Sequence, residues 1–77
     1  MLETQAAASL RLLSAREAQV LEAAARGLTN AEVAGQLDVS VHAVKFHLAS
    51  IYRKLGVGNR TEAAFLYLRS AAERPAP

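Results

Sequence analysis

Two helix-start signatures lie close together in this chain, and they constrain its fold more than any other feature. They are Ser14-Ala15-Arg16-Glu17 and Thr29-Asn30-Ala31-Glu32. In such a box the hydroxyl accepts from the N–H three residues on. The glutamate reaches back to the N–H of the hydroxyl residue. Leu13 precedes the first box as a staple residue, and Gly27 supplies the left-handed turn that ends a helix. The pattern predicts helices over about 15–26 and 30–37, joined by a turn too tight for anything but a helical pair.

Asp38-Val39 then makes a short turn, and Ser40 is the next N-cap. Val41, Val44, Leu48, Ile51, Tyr52 and Leu55 fall within roughly 100° of arc at helical pitch. That predicts a long helix over 41–55 with this stripe turned inward. The opposite arc holds His42, Phe46, Ala49, Ser50 and Arg53, with Lys45 and Lys54 on its flanks. Gly56 ends the helix. Asn59 or Thr61 caps a last helix over 61–73, ahead of Pro75.

The expected fold is therefore all-α, a four-helix domain over 13–73, with a tail at 74–77. Residues 1–12 carry no strong start signal. Their AAAS stretch reads as a frayed helix or as a flexible segment or linker. Apolar residues make up 52% of the chain, which suits a folded core rather than disorder. There is no cysteine, so neither a disulfide staple nor a thiolate metal site is available. Apolar runs are too short for a membrane span. His42 and His47 are poorly spaced on a helix for one metal, and no carboxylate lies near them in sequence. No paired acids, phosphate loop or nucleophile–base pair stands out. The chain reads as neither an enzyme nor a cofactor or metal binder.

Charge gives the first functional hint. Nine Lys and Arg against seven acids leave a net charge of only +2. Yet none of the acids lies between Val39 and Thr61, where Lys45, Arg53, Lys54 and Arg60 sit with His42 and His47. A basic stretch of this kind suits a polyanion. A short helix, a tight turn and a longer basic helix form the helix-turn-helix layout, whose second helix enters a major groove of DNA. Two rivals remain at this point. One is a σ-factor region-4-like promoter module, and the other is a helical protein-interaction module without nucleic acid.

Four stretches together resemble the LuxR/FixJ/NarL/GerE-type DNA-binding domain. They are Leu13-Ser14-x-Arg16-Glu17-x-x-Val20-Leu21, Gly27-x-Thr29-Asn30-x-Glu32-Val33-Ala34, Leu37-x-Val39-Ser40-x-x-x-Val44-Lys45-x-His47, and Ile51-x-x-Lys54-Leu55-Gly56-Val57-x-x-Arg60-Thr61-x-Ala63. The resemblance covers roughly residues 12–70 without insertion. It implies sequence-specific binding of double-stranded DNA for bacterial transcription regulation, with helix 41–55 in the major groove. The implied setting is the bacterial cytoplasm at the nucleoid, with RNA polymerase as a further partner.

By the same resemblance, Lys45, Phe46 and Ala49 occupy positions that reach base edges. Asn30, His47, Lys54 and Arg60 fall at or near positions on the sugar-phosphate backbone. His42 and Arg53, on the outer arc, join this candidate set. An exposed phenylalanine is costly in water, so Phe46 reads as a contact for thymine methyl groups. Glu17 reads as a capping residue that can also pair with a cation from a later helix. Three departures stand out. Ala43 replaces a usual threonine, Ala31 a common lysine, and Ala49 a longer side chain. Each removes a contact to DNA, so affinity should lean on dimerisation. Such domains commonly dimerise through the last helix. Ala63, Ala64, Tyr67 and Ala71 form one apolar stripe there, and Phe65, Leu66 and Leu68 exceed what one stripe needs. Phe65, Leu66 and Arg69 are the candidate homodimer contacts over 61–73, aligning two operator half-sites.

Overall fold

The computed structural model describes residues 5–73. Five helices follow one another: α1 (Gln5–Leu10), α2 (Ala15–Ala25), α3 (Asn30–Leu37), α4 (Val41–Leu55) and α5 (Arg60–Glu73). The last four are the helices the sequence predicts, with ends shifted by a residue at most.

Both capping boxes form as the sequence requires. Glu17 N–H donates to Ser14 Oγ at 3.1 Å, and Ser14 N–H to Glu17 Oε1 at 2.8 Å. Glu32 N–H donates to Thr29 Oγ1 at 3.1 Å, and Thr29 N–H to Glu32 Oε1 at 2.8 Å. Ser40 accepts from Ala43 N–H at 3.0 Å, starting α4. Asn59, rather than Thr61, caps α5 by accepting from Glu62 N–H at 3.0 Å. The α3–α4 turn is closed by Asp38 in the left-handed region (φ 57°), and α4 ends on Gly56 at φ 69°. Glycine takes that conformation without strain, whereas Asp38 is one of the few side chains that tolerate it.

The core is built from all four longer helices. Val20, Leu21, Ala23 and Ala24 of α2 meet Val33 and Ala34 of α3, then Val44, Leu48, Ile51 and Leu55 of α4, and Ala63 of α5. Each large side chain fully buried here is worth roughly 1.5–3 kcal/mol. α5 lies along α2, while α3 and α2 both pack on α4. This clamps α4 from two sides.

Several expectations need correction. Of the two readings of the AAAS stretch, the chain over 5–10 takes the helical one, so the described residues hold five helices where four were expected. Its alanines favour helix, and Leu10 packs against the core while α1 lies on α5. The remainder of the supposed linker at 1–4, and the tail at 74–77, lie outside the described residues. Val41 is exposed at the first turn of α4 instead of facing inward. Ser50, placed by periodicity on the solvent side, is buried. On α5 the inward positions are Ala63 and Ser70, while Ala71 faces outward. No helix is long and apolar enough to cross a membrane among the described residues.

Candidate nucleic-acid interface

α2 and α3 both pack on α4 and leave one face of it to solvent. His42, Lys45, Phe46, Ala49 and Arg53 are all exposed. They follow the i, i+3, i+4, i+7 rhythm that aligns side chains on one helical face. The strip has an apolar centre, Phe46 and Ala49, with Lys45 and His42 toward one end and Arg53 toward the other. Phe46 is 70% exposed. Among the described residues its one ring contact is with half-buried His47, edge-on at 6.0 Å between centroids and 75° between planes. The cation-rich face of α4 therefore carries a large aromatic ring that the fold leaves uncovered.

The other expected contacts sit differently. Lys54 turns toward α2 and pairs with Glu17 Oε1 at 2.7 Å. Ser50, one turn earlier, donates its hydroxyl to Glu17 Oε2 at 2.5 Å. Glu17 thus accepts from Ser14, Ser50 and Lys54 at once. The Lys54 ammonium, helped by the Ser50 hydroxyl and the Ser14 N–H, lowers its pKa from 4.5 to about 2, against the opposing cost of burial. Glu17 reads from the sequence as a partner for an unnamed cation of a later helix, and Lys54, expected instead on the sugar-phosphate backbone, is that cation. Ser50 was missed because core periodicity records only apolar positions. Its place one turn before Lys54 was the available clue.

Arg60, at the start of α5, reaches across to α3. Its Nη1 donates to Asn30 Oδ1 at 3.0 Å, and its Nη2 to the Ala24 carbonyl at 3.4 Å. Two residues expected on phosphates are thus bonded to one another, tying the start of α5 to the start of α3 and the end of α2. Arg16 and Arg26 brace α2 against α3 in a similar way, donating to the Leu37 carbonyl at 3.4 Å and to Gln36 Oε1 at 3.3 Å. Sequence reading assigned neither of these a role.

On α5, Phe65 and Leu68 are exposed, whereas Leu66 is half-buried and packs on the core. Phe65 and Leu66 line a shallow groove of about 500 Å³ with Ser9 and Val57. Arg69 is exposed on the same helix. Among the described residues, no group of three or more His, Asp or Glu is arranged to hold a metal ion.

This geometry agrees with what the chain is similar to. Residues 11–67 match the family described as bacterial regulatory proteins, luxR family. A probable transcriptional regulatory protein, SgaR of Hyphomicrobium methylovorum, is 44% identical over 59 residues, covering 77% of this chain and 28% of that protein. A putative HTH-type transcriptional regulator, YhjB of Escherichia coli (strain K12), is 46% identical over 57 residues, covering 74% of this chain and 28% of that protein. The nitrate/nitrite response regulator protein NarP of the same strain is 40% identical over 58 residues, covering 75% of this chain and 27% of that protein. The chain thus spans little more than a quarter of the length of these relatives.

Proposed function

The chain belongs to the luxR family of bacterial regulatory proteins, as a helix-turn-helix domain, and from that premise we propose that it binds duplex DNA with α4 lying in a major groove. The observation that carries this reading is the exposed strip of α4, acid-free and cationic, with Phe46 uncovered at its centre. Lys45, Phe46 and Ala49 face base edges. Arg53, His42, His47 and Asn30 lie toward the sugar-phosphate backbone. Lys54 and Arg60 are bonded to Glu17 and Asn30 within the domain and orient what does touch DNA. The same reading places the protein at the nucleoid of a bacterial cytoplasm, with RNA polymerase as a second partner of the regulator.

The bonded state of Lys54 and Arg60 sets the electrostatic footprint. Four cations on phosphates would give a slope of log K against log[salt] of roughly −3 to −4. With Lys45 and Arg53 alone, the slope on random duplex should be about −2 per domain. A fluorescence-anisotropy titration across a salt series reads it. A slope near zero would remove the electrostatic basis of the proposal, and one near −4 would put Lys54 and Arg60 on phosphates after all.

Two cations and one short recognition strip make a weak reader, so we place a homodimer seam on α5 to join two half-sites. The exposed Phe65 and Leu68, with the groove beside Phe65, supply the apolar area, and Arg69 is exposed on the same helix. Leu66 serves the core more than the seam. Phe65→Glu should leave helicity and single-site affinity unchanged while removing cooperative filling of a two-half-site duplex in band-shift titrations. Retained cooperativity would move the seam elsewhere.

A further inference from the structure

We infer that Arg60 is a positioning residue: it fixes the polarity of the Asn30 amide so that its NH2 group, not its oxygen, is presented to a DNA phosphate. This rests on the DNA-binding reading and deepens it. A guanidinium donates hydrogen bonds and accepts none. Whichever end of the Asn30 amide faces Arg60 must therefore be the oxygen, and Nη1 meets Oδ1 at 3.0 Å. Arg60 is itself held by its second nitrogen on the Ala24 carbonyl. That carbonyl belongs to the last turn of α2, so the fork is anchored to a rigid element.

The consequence falls on Nδ2. Asn30 opens α3, the helix that precedes the recognition helix. Its amide nitrogen has no partner among the described residues, and it is not buried away from water. An unconstrained asparagine can turn either end outward, and the oxygen end repels a phosphate. With Oδ1 committed to Arg60, only the donor end faces out. Arg60 thereby acts on DNA through Asn30. Its charge is spent on the amide and the carbonyl rather than on a phosphate.

Four variants test this on a fluorescein-labelled random-sequence duplex: Arg60→Ala, Asn30→Ala, their double, and Asn30→Asp. Removing one such hydrogen bond should weaken binding about five-fold. Arg60→Ala and Asn30→Ala should each show that loss, and the double variant should be no weaker than either single, because both break one unit. The salt slope of Arg60→Ala should equal the parent's, since no phosphate contact has been removed. Asn30→Asp is the arm that does not depend on Arg60→Ala folding. Its carboxylate pairs with Arg60 more strongly than the amide does, so melting temperature should hold or rise. It has no N–H to offer a phosphate, so affinity should fall ten-fold or more.

A slope reduced by about one in Arg60→Ala would make Arg60 a direct phosphate contact and overturn the inference. Additive losses in the double variant would do the same. Unchanged affinity in Asn30→Asp would reduce the pair to a structural tie. Should the parent itself fail to bind the duplex, the DNA reading falls and this inference with it. Should only the Asn30 variants be silent while the parent binds, the DNA reading stands and the positioning role alone is lost.

Discussion

Glu17→Gln is expected to lower the melting temperature by about 10 °C at neutral pH and by far less at pH 3. The carboxylate accepts from Ser14 N–H, the Ser50 hydroxyl and the Lys54 ammonium, and it links α2 to α4 through two of them. Glutamine keeps one acceptor oxygen but presents an NH2 group to whichever donor faces its other end. That leaves one donor unmatched at a site where the Glu17 side chain is 7% exposed. Breaking a fully buried ion pair costs about 3–5 kcal/mol. The Lys54 side chain is 38% exposed. Solvent therefore takes up part of the loss, and roughly 2 kcal/mol is a reasonable expectation. For a domain of this size, that corresponds to about 8–16 °C.

The pH dependence follows from the direction of the shift. Folding holds the Glu17 pKa at about 2 against an ordinary 4.5. The stabilisation is therefore complete above the ordinary value and is lost progressively as pH falls from there toward 2. Parent and variant should converge over that window. Thermal unfolding followed by circular dichroism at pH 7 and pH 3 reads both effects. An equal gap at the two pH values would show that the charge of Glu17 is not what stabilises the tie.

Much of this molecule was legible in its sequence, because its signals are local. A capping box occupies four residues and needs no partner elsewhere, so Ser14–Glu17 and Thr29–Glu32 could be read directly and form as written. The α4 core stripe is likewise a matter of spacing. Val44, Leu48, Ile51 and Leu55 are buried as expected. What escaped was set by contacts across the fold. Ser50 looks solvent-facing on a helical wheel until α2 brings Glu17 over it. Lys54 and Arg60 look like free cations until their partners, 37 and 30 residues away, are in place. A lone helical wheel supplies one buried face, whereas α4 is covered from two sides. The α1 helix was open between a frayed helix and a linker in the sequence for a different reason: its packing on α5 is a contact across the fold.

The strip left exposed on α4 leads to the second large effect, on discrimination between DNA sequences. Phe46 contributes nothing to the core at 70% exposure, so Phe46→Ala should leave folding intact. In a major groove its ring meets the C5 methyl of thymine, and Lys45 beside it reaches the acceptors of guanine. Contacts to base edges carry sequence information, whereas contacts to phosphates do not. Phe46→Ala and Lys45→Ala should therefore each narrow the gap between a selected and a random duplex by about 1–3 kcal/mol, a five- to hundred-fold change in the affinity ratio. Arg53→Ala should weaken both duplexes alike. The decisive measurement takes the duplex enriched by the parent domain from a random library and compares its affinity with that of random duplex, for parent and Phe46→Ala, with helicity checked by circular dichroism. A ratio that collapses for a fully folded Phe46→Ala places the α4 strip in the groove. A ratio that survives unchanged, or a variant that unfolds, would mean that this face of α4 does not read DNA.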